Sequence, residues 1–144
     1  MLEQHFDHFE RYGLAGGVRM IWMGDLGFDF MEKVKNEITL PAVDILFAPH
    51  HGRDSGTVPS EWLEQMDPKL IIIGEAPSEH LNYYDSYNAI THNSAWDIVM
   101  NCEIGSTHFF VSNPDYTVNF LDNEFFADSD FYGKYLGTLK TTRG

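Results

Sequence analysis

Two adjacent histidines are the residues of this sequence best suited to bind a metal. His50 and His51 directly follow an apolar run and lie between Pro49 and Gly52. Imidazole is the commonest metal ligand in proteins and suits zinc. Because adjacent side chains diverge in an extended backbone, one ring is free to bind a metal while the other contacts a substrate. The other interpretation is a surface loop with two solvated histidines.

Further polar residues accompany this pair. Asp25 follows an earlier apolar run, where a Gly-Asp sequence taken alone is typical of a turn or a helix cap. Asp54 and Ser55 come shortly after the histidines, and we expect one of them to hydrogen-bond the far ring nitrogen of a metal-binding histidine. Asp25, His50 and His51 are thus the predicted metal ligands, and Asp54 is a candidate catalytic residue.

The apolar runs before these residues predict three β-strands, over residues 18–23, 43–48 and 70–73. Helices are predicted between the strands, over residues 29–37 from a capping-box pattern and over residues 59–65 from a proline placed early. Apolar strands that alternate with helices predict a largely parallel sheet covered by helices. Ligands of such sheets bind at the carboxyl ends of the strands, and two of the three strands end next to a predicted metal ligand.

The remainder of the sequence is less regular. A loop rich in Tyr, Asn and Ser covers residues 74–91, and capping-box spacing predicts a short helix from Ser94. We expect a terminal strand pair over residues 108–112 and 116–121. An acidic, aromatic tail follows over residues 122–144.

In this order, the motifs resemble those of the metallo-β-lactamase superfamily, and most of all its branch of ComEC-like competence proteins. That branch has a strand ending in Gly-Asp, a strand and loop of the form Asp-x-Leu-x-x-Pro-His-His-Gly, a Pro-Lys strand and a His-Pro helix start. The corresponding strings here are Gly24-Asp25, residues 44–52, Pro68-Lys69 and His92-Asn93, the last with asparagine in place of proline.

The resemblance implies an α/β fold that forms half of a metallo-β-lactamase αββα sandwich. In the family, the Gly-Asp aspartate bridges two metal ions and a histidine of the His-His-Gly loop binds the second ion. Asp25 and either His50 or His51 would take these places, and His92 would be a substrate-side or proton-donating catalytic residue. The implied activity is metal-dependent hydrolysis of a phosphodiester, with one or two zinc or manganese ions at partial occupancy.

The sequence departs from the family on its N-terminal side. A His-x-His-x-Asp-His signature should precede Gly-Asp by most of a hundred residues, but only 24 residues precede Asp25. The string His5-Phe6-Asp7-His8 matches the last four positions, and we interpret this match as chance. We therefore predict an N-terminal segment over residues 1–17, a second half-domain over residues 18–121 and the tail.

Such a chain is expected to be an incomplete hydrolase that needs self-association or a partner chain to supply the missing half. The alternative is a non-catalytic remnant that acts as an interaction protein. The resemblance does not decide between them.

Composition excludes several other classes of protein. The formal net charge of −13 disfavours nucleic acid as a partner, although a small phosphoester bound at a metal is compatible with it. The single cysteine, Cys102, excludes an internal disulfide framework. The sequence lacks an apolar run near the ~20 residues needed to span a bilayer, which predicts no membrane association. Its polar N-terminus is unlike a signal peptide, so we expect a cytoplasmic protein.

Overall fold

The computed structural model describes residues 17–141, which belong to two compact units. The first unit covers residues 20–93 and carries every predicted site residue. The second unit covers residues 94–141 together with residues 17–19. The sequence predictions for residues 1–16, including the His5-Phe6-Asp7-His8 string, lie outside the described residues.

The first unit contains a four-stranded parallel sheet in the order β1-β2-β3-β4. Its strands are β1 (Met20–Trp22), β2 (Ile45–Phe47), β3 (Leu70–Ile73) and β4 (Ala89–Thr91). The first three lie within the predicted apolar runs, which confirms the expected parallel sheet. The fourth strand was not predicted, because its three residues are flanked by Asn88 and His92 and do not form part of a longer apolar run.

Two helices connect the strands of this sheet. They are α1 (Phe28–Val34) and α2 (Ser60–Met66), and both lie close to their predicted positions. The capping-box prediction for α1 is wrong in detail, because Gly27 is the N-cap and Asp29 lies inside the first turn. A carboxylate there still stabilises the helix through the macrodipole.

A third helix, α3 (His92–Ala95), follows β4 directly. The sequence predicted a helix start at Ser94, and the helix instead begins two residues earlier. Because α3 is a single turn, the capping-box pattern at Ser94 did not locate its first residue. His92 is thereby fixed at the junction between a strand and a helix.

Aliphatic residues from all four strands form the core of the first unit, together with Met31 of α1 and Trp62 of α2. The Asp44 side chain is also fully buried, before the start of β2, and its Oδ1 lies 3.5 Å from Nζ of Lys69. Asp44 and Lys69 belong to two of the motifs that carry the resemblance. Both lie at the amino ends of their strands, away from the carboxyl ends, so they stabilise the sheet.

The second unit contains a three-stranded antiparallel sheet in the order β5-β6-β7. Its strands are β5 (Ile98–Glu103), β6 (Ser106–Val111) and β7 (Lys134–Lys140). A two-residue turn joins β5 to β6, and Gly105 supplies the positive φ of 79° that such hairpin turns favour.

This sheet corrects the predicted terminal strand pair. The strand expected over residues 108–112 exists within β6, but residues 116–121 form no strand and β6 pairs instead with β5 and β7. Strand β7 lies in the segment predicted to be a tail. Alternating apolar residues mark several segments here as strand formers, and local pattern does not determine which of them pairs with β6. None of the helices in residues 17–141 is long and apolar enough to cross a membrane.

Candidate functional site

Three of the four strands of the parallel sheet deliver candidate ligands to one cleft. Asp25 follows β1, His50 and His51 follow β2, and His92 follows β4, and all four line a cleft of about 210 Å³. Their strands run parallel, so these residues meet at the carboxyl edge of the sheet. Asp25, His50 and His51, the predicted metal ligands, therefore line one cleft, and their binding of a metal stays a prediction.

The backbone at the two histidines adopts an unusual conformation. His50 has φ 49° and ψ 39°, His51 has φ 56° and ψ 25°, and Gly52 continues with φ 81°. The left-handed region costs a residue with a side chain roughly 1–2 kcal/mol, and two such residues in succession are rare. Strain of this kind persists where the surroundings impose it and is concentrated at functional sites.

Two glycines make room for the histidine side chains. A Cβ at Gly56 would lie 2.9 Å from the His50 Cβ, and a Cβ at Gly74 would lie 2.9 Å from the His51 Cβ and overlap the His51 Nδ1. Real Cβ atoms do not approach other atoms this closely. Glycine is therefore required at both positions as long as the histidines keep their conformation.

Both ring nitrogens of His50 are used in hydrogen bonds. Its Nε2 lies 2.7 Å from the backbone oxygen of Asp25, and its Nδ1 lies 2.9 Å from the Ser55 Oγ. Since a carbonyl oxygen only accepts, Nε2 carries the proton and, in the neutral ring, Ser55 donates to Nδ1. The His50 backbone N–H also donates to the Gly24 oxygen at 3.0 Å.

His50 consequently ties the loop after β2 to the turn after β1 and offers no free nitrogen to a metal. The sequence left open which histidine of the pair is the ligand. His51 is the one whose exposed ring lines the cleft without a hydrogen bond to any of the residues 17–141. The geometry therefore favours His51.

Asp54 has a different position from the one expected. Its Oδ1 accepts a hydrogen bond from the Ser55 N–H at 2.7 Å and lies 3.8 Å from the His80 Nδ1, and Asp54 does not line the cleft. Ser55, the alternative named from the sequence, supplies the bond to His50. Asp54 thus orders the loop that presents Ser55.

Asn93 connects His92 to the loop after β3. Its side-chain Oδ1 accepts from the Ala76 N–H at 3.0 Å, and its Nδ2 donates to the Ala76 oxygen at 2.8 Å. A proline at this position, as in the resembling family, would make neither bond. The departure from the family pattern therefore fixes the segment that begins at Gly74 next to the residue that carries the His92 ring.

A buried tyrosine holds the far part of the same loop. The Tyr84 hydroxyl accepts a hydrogen bond from the Val58 N–H at 3.2 Å, just before α2. Burial raises the pKa of the Tyr84 phenol, and the Val58 hydrogen bond opposes this shift only in part. The phenol is thus neutral across the physiological range and clamps the loop to the body of the first unit.

The residues present fit a metal ion in chemical type but not in arrangement. Besides His50, whose ring nitrogens are both hydrogen-bonded, the carboxylate of Asp25 and the imidazoles of His51 and His92 line the cleft, and these are ligands that zinc accepts. A catalytic zinc ion usually needs three protein ligands. Yet residues 17–141 contain no group of three or more His, Cys, Asp or Glu side chains arranged to hold a metal.

Two aromatic residues of the cleft were missed from the sequence. Trp22 and Phe47 line its wall, with ring centroids 4.0 Å apart and planes inclined by 11°. Residues 18–23 look like a continuous buried run, which conceals that Ile21 is buried while its neighbour Trp22 is 54% exposed. Strand alternation, applied to this run, would have found it.

Comparison with known proteins identifies no relative of this chain. No family model, curated protein sequence or solved structure matches the chain.

Proposed function

We propose that the cleft at the carboxyl ends of β1, β2 and β4 is a partial metal site of a metallo-β-lactamase-type hydrolase directed at phosphodiesters. The observation that carries this proposal is that Asp25, His51 and His92 follow three different parallel strands and line one cleft. Residues from separate strands meet in this way at the ligand sites of parallel sheets.

The local structure around the histidines supports a binding role. The loop holds His50 and His51 in a strained backbone conformation, and Gly56 and Gly74 make room for their side chains. A loop with no ligand to bind would relax at lower free energy with glycine or asparagine at the strained positions. Asp25 and His51 are the proposed ligands of zinc or manganese, and His92 is the proposed substrate-side group.

The described part of the chain is one ligand short of a catalytic site under this assignment. A catalytic zinc ion usually takes three protein ligands and keeps one open position. We propose that the missing ligand comes from outside residues 17–141, through self-association or a partner chain. The first unit by itself is then expected to bind metal weakly, because affinity falls with each lost ligand.

A second candidate is an interaction protein without a catalytic metal. The hydrogen bonds of His50 favour it, since both ring nitrogens stabilise the loop and leave that histidine without a role in metal binding. The absence of a three-ligand group in residues 17–141 agrees with this alternative. Under it, the strained loop is a shaped surface for a partner protein.

Metal content and hydrolysis together separate the two candidates. We would measure bound zinc and manganese by elemental analysis in the wild-type chain, Asp25→Ala, His51→Ala and the control Asp54→Ala, whose carboxylate lies outside the cleft. The proposal expects less than one metal ion per chain in the wild type and in Asp54→Ala, and none in the other two. It also expects little or no hydrolysis of a chromogenic phosphodiester with added manganese.

Two results would contradict this proposal in different ways. Robust turnover that disappears in Asp25→Ala would show that the chain already holds a complete site. No bound metal in the wild type, with all variants equally stable, would favour the interaction protein.

A further inference from the structure

A chain of hydrogen-bonded side chains crosses the sheet of the second unit. It begins at His108 on β6, whose side chain is 5% exposed and whose Nδ1 lies 2.8 Å from the Oγ1 of Thr138 on β7. The Thr138 hydroxyl also makes a short hydrogen bond with the Tyr135 hydroxyl. The Tyr135 oxygen accepts the Glu124 N–H at 3.1 Å, and its hydroxyl donates to the Asp122 backbone oxygen at 3.3 Å. A buried histidine is thereby connected to the segment that precedes β7.

Residues 122–132 form a strap over this face of the sheet. The Phe126 ring of the strap lies 4.3 Å from the His108 ring, and the Tyr132 ring lies 5.5 Å from the Phe110 ring, measured between centroids. The strap contains no helix or strand, and apart from two isolated backbone bridges its attachment depends on side chains. Phe110 is only 5% exposed, so opening of the strap would uncover apolar surface.

The protons of the hydrogen-bonded chain can be assigned because each hydroxyl has only one. A carbonyl oxygen only accepts, so the Tyr135 hydroxyl donates its proton to the Asp122 oxygen. Thr138 must then donate to the Tyr135 oxygen, and its own oxygen accepts from the ring of His108. All these bonds form together only when the His108 Nδ1 carries a proton. In the neutral ring, Nε2 is then an unprotonated acceptor.

This Nε2 atom faces a carboxylate. It is buried, has no hydrogen-bond partner among residues 17–141, and lies 3.4 Å from the Oε2 of Glu103 on β5. Two acceptors at this distance repel each other. A proton on the His108 Nε2 replaces that repulsion with attraction to the Glu103 carboxylate, and it strengthens the bond from Nδ1 to Thr138 because the donor is then charged.

The ionisable groups packed around His108 come from three elements. They are Glu103 on β5, Tyr135 and Lys140 on β7, and Asp122, Glu124 and Asp128 on the strap. Glu124 forms an ion pair with Lys140, and its hydrogen bond raises the pKa of Lys140. The charged group that lies directly against the His108 ring is therefore Glu103.

We propose that His108 is a proton-sensitive latch that holds the strap on the sheet. Histidine changes its charge between pH 8 and pH 5, and His108 is the one histidine in the sequence of residues 94–144. Proton uptake stabilises the closed strap, so the strap is held more firmly at pH 5 and opens more often at pH 8. The latch lies within the second unit and uses none of the residues of the proposed metal site.

Hydrogen exchange measured by NMR on the full chain tests the latch. The Glu124 amide reports on the strap, because it donates to the Tyr135 oxygen. Burial opposes a charge on the ring and Glu103 is 56% exposed, so the effect should be that of a half-exposed ion pair. We expect the protection factor of the Glu124 amide to be about 2- to 5-fold higher at pH 5 than at pH 8. The Ser112 amide, which donates to the Asp97 oxygen outside the strap, is the reference and should change less.

Glu103→Gln connects the pH difference to the carboxylate. The position is half-exposed, and the amide of glutamine can donate to the unprotonated Nε2 of His108. Protection of the Glu124 amide at pH 8 should therefore rise, and the difference between the two pH values should vanish. Asp115→Asn is the matched control, since it also removes an exposed carboxylate of the second unit, in the turn after β6, and it should keep the difference.

The ring of the wild type gives a second readout that needs no variant. At pH 8, ¹⁵N shifts should show the proton of His108 on Nδ1, and a ring protonated at Nε2 would overturn the latch. A protection factor of the Glu124 amide that does not change with pH would also overturn it. So would a change of equal size at the Ser112 amide, or a pH difference that persists in Glu103→Gln.

Discussion

Gly74→Ala is the substitution that most directly tests the packing around His51. The added Cβ would lie 2.9 Å from the His51 Cβ and 3.0 Å from its Cγ, and it would overlap Nδ1. The ring cannot swing away freely, because its own Cβ is among the atoms that are too close. Overpacking of this kind typically costs about 1–3 kcal/mol. At roughly 3 °C for each kcal/mol in a chain of this size, the melting temperature should fall by about 3–9 °C.

Gly27→Ala is the matched control for this substitution. Its Cβ would meet only the Ser55 backbone oxygen, at an ordinary contact distance of 3.8 Å. The weaker N-cap and the reduced freedom of the unfolded chain have opposite effects of similar size, so the melting temperature should change little. Thermal unfolding of both variants would be followed by circular dichroism, and the His51 ring resonances by NMR.

Gly74→Ala should therefore both lower the stability and displace the His51 ring. The variant should also lose whatever metal the wild type binds, since His51 is the proposed ligand. A Gly74→Ala chain as stable as the wild type, with unchanged His51 resonances, would refute the packing argument. It would show that the His51 side chain does not occupy the space beside Gly74.

Three further predictions concern the hydrogen bonds that hold the site. Ser55→Ala should cost about 0.5–1.5 kcal/mol in chemical denaturation, and ¹⁵N shifts of the wild type should show His50 protonated at Nε2, whereas an Nδ1-protonated ring would contradict the assignment. Asn93→Ala should cost roughly 1–3 kcal/mol and accelerate hydrogen exchange at the Ala76 amide; unchanged exchange would contradict this contact. Because burial raises the pKa of Tyr84, the neutral phenol should contribute its full stabilisation below pH ~10 and lose it as the pH rises through the folded-state pKa. Tyr84→Phe should therefore lose less stability at alkaline pH in thermal melts than the wild type. An equal alkaline loss in both proteins would contradict this prediction.

The sequence predicted the parallel sheet well because its first three strands are continuous apolar runs. Strand β3 (Leu70–Ile73) coincides with the predicted residues, and β1 and β2 lie within theirs. Strand β4 and helix α3 were missed or displaced because neither lies in an apolar run: the residues on both sides of β4 are polar, and α3 is a single turn. Without such a run, three or four residues do not distinguish a strand from a loop.

The second sheet was harder to predict because strand partners are chosen over long separations in sequence. Strand β7 pairs with β6 across the intervening residues 112–133, and Phe125 and Phe131 in that segment remain 88% and 87% exposed. Composition alone made residues 122–144, which contain β7, look like a tail. Pairing depends on which segment completes the sheet, and local propensity carries little of that information.

The candidate site was predictable in position and not in detail. Residues at the ends of parallel strands must meet, so Asp25 and the histidine pair could be brought together from the order of the strands. The role of His50 depends on a left-handed backbone and on a bond to a carbonyl 25 residues earlier. Neither is encoded in a local pattern, and the sequence therefore could not distinguish His50 from His51.

The left-handed conformation at residues 50 and 51 limits which amino acids evolution can place there. Glycine, asparagine, aspartate and histidine are the residues that tolerate this region best. Of these, histidine alone adds an imidazole. In a library that varies both positions, variants selected only for thermal stability should carry any of these four residues at position 51. Variants selected for zinc binding should converge on histidine at position 51. Position 50 should instead accept whichever residue best hydrogen-bonds both Ser55 and the Asp25 carbonyl.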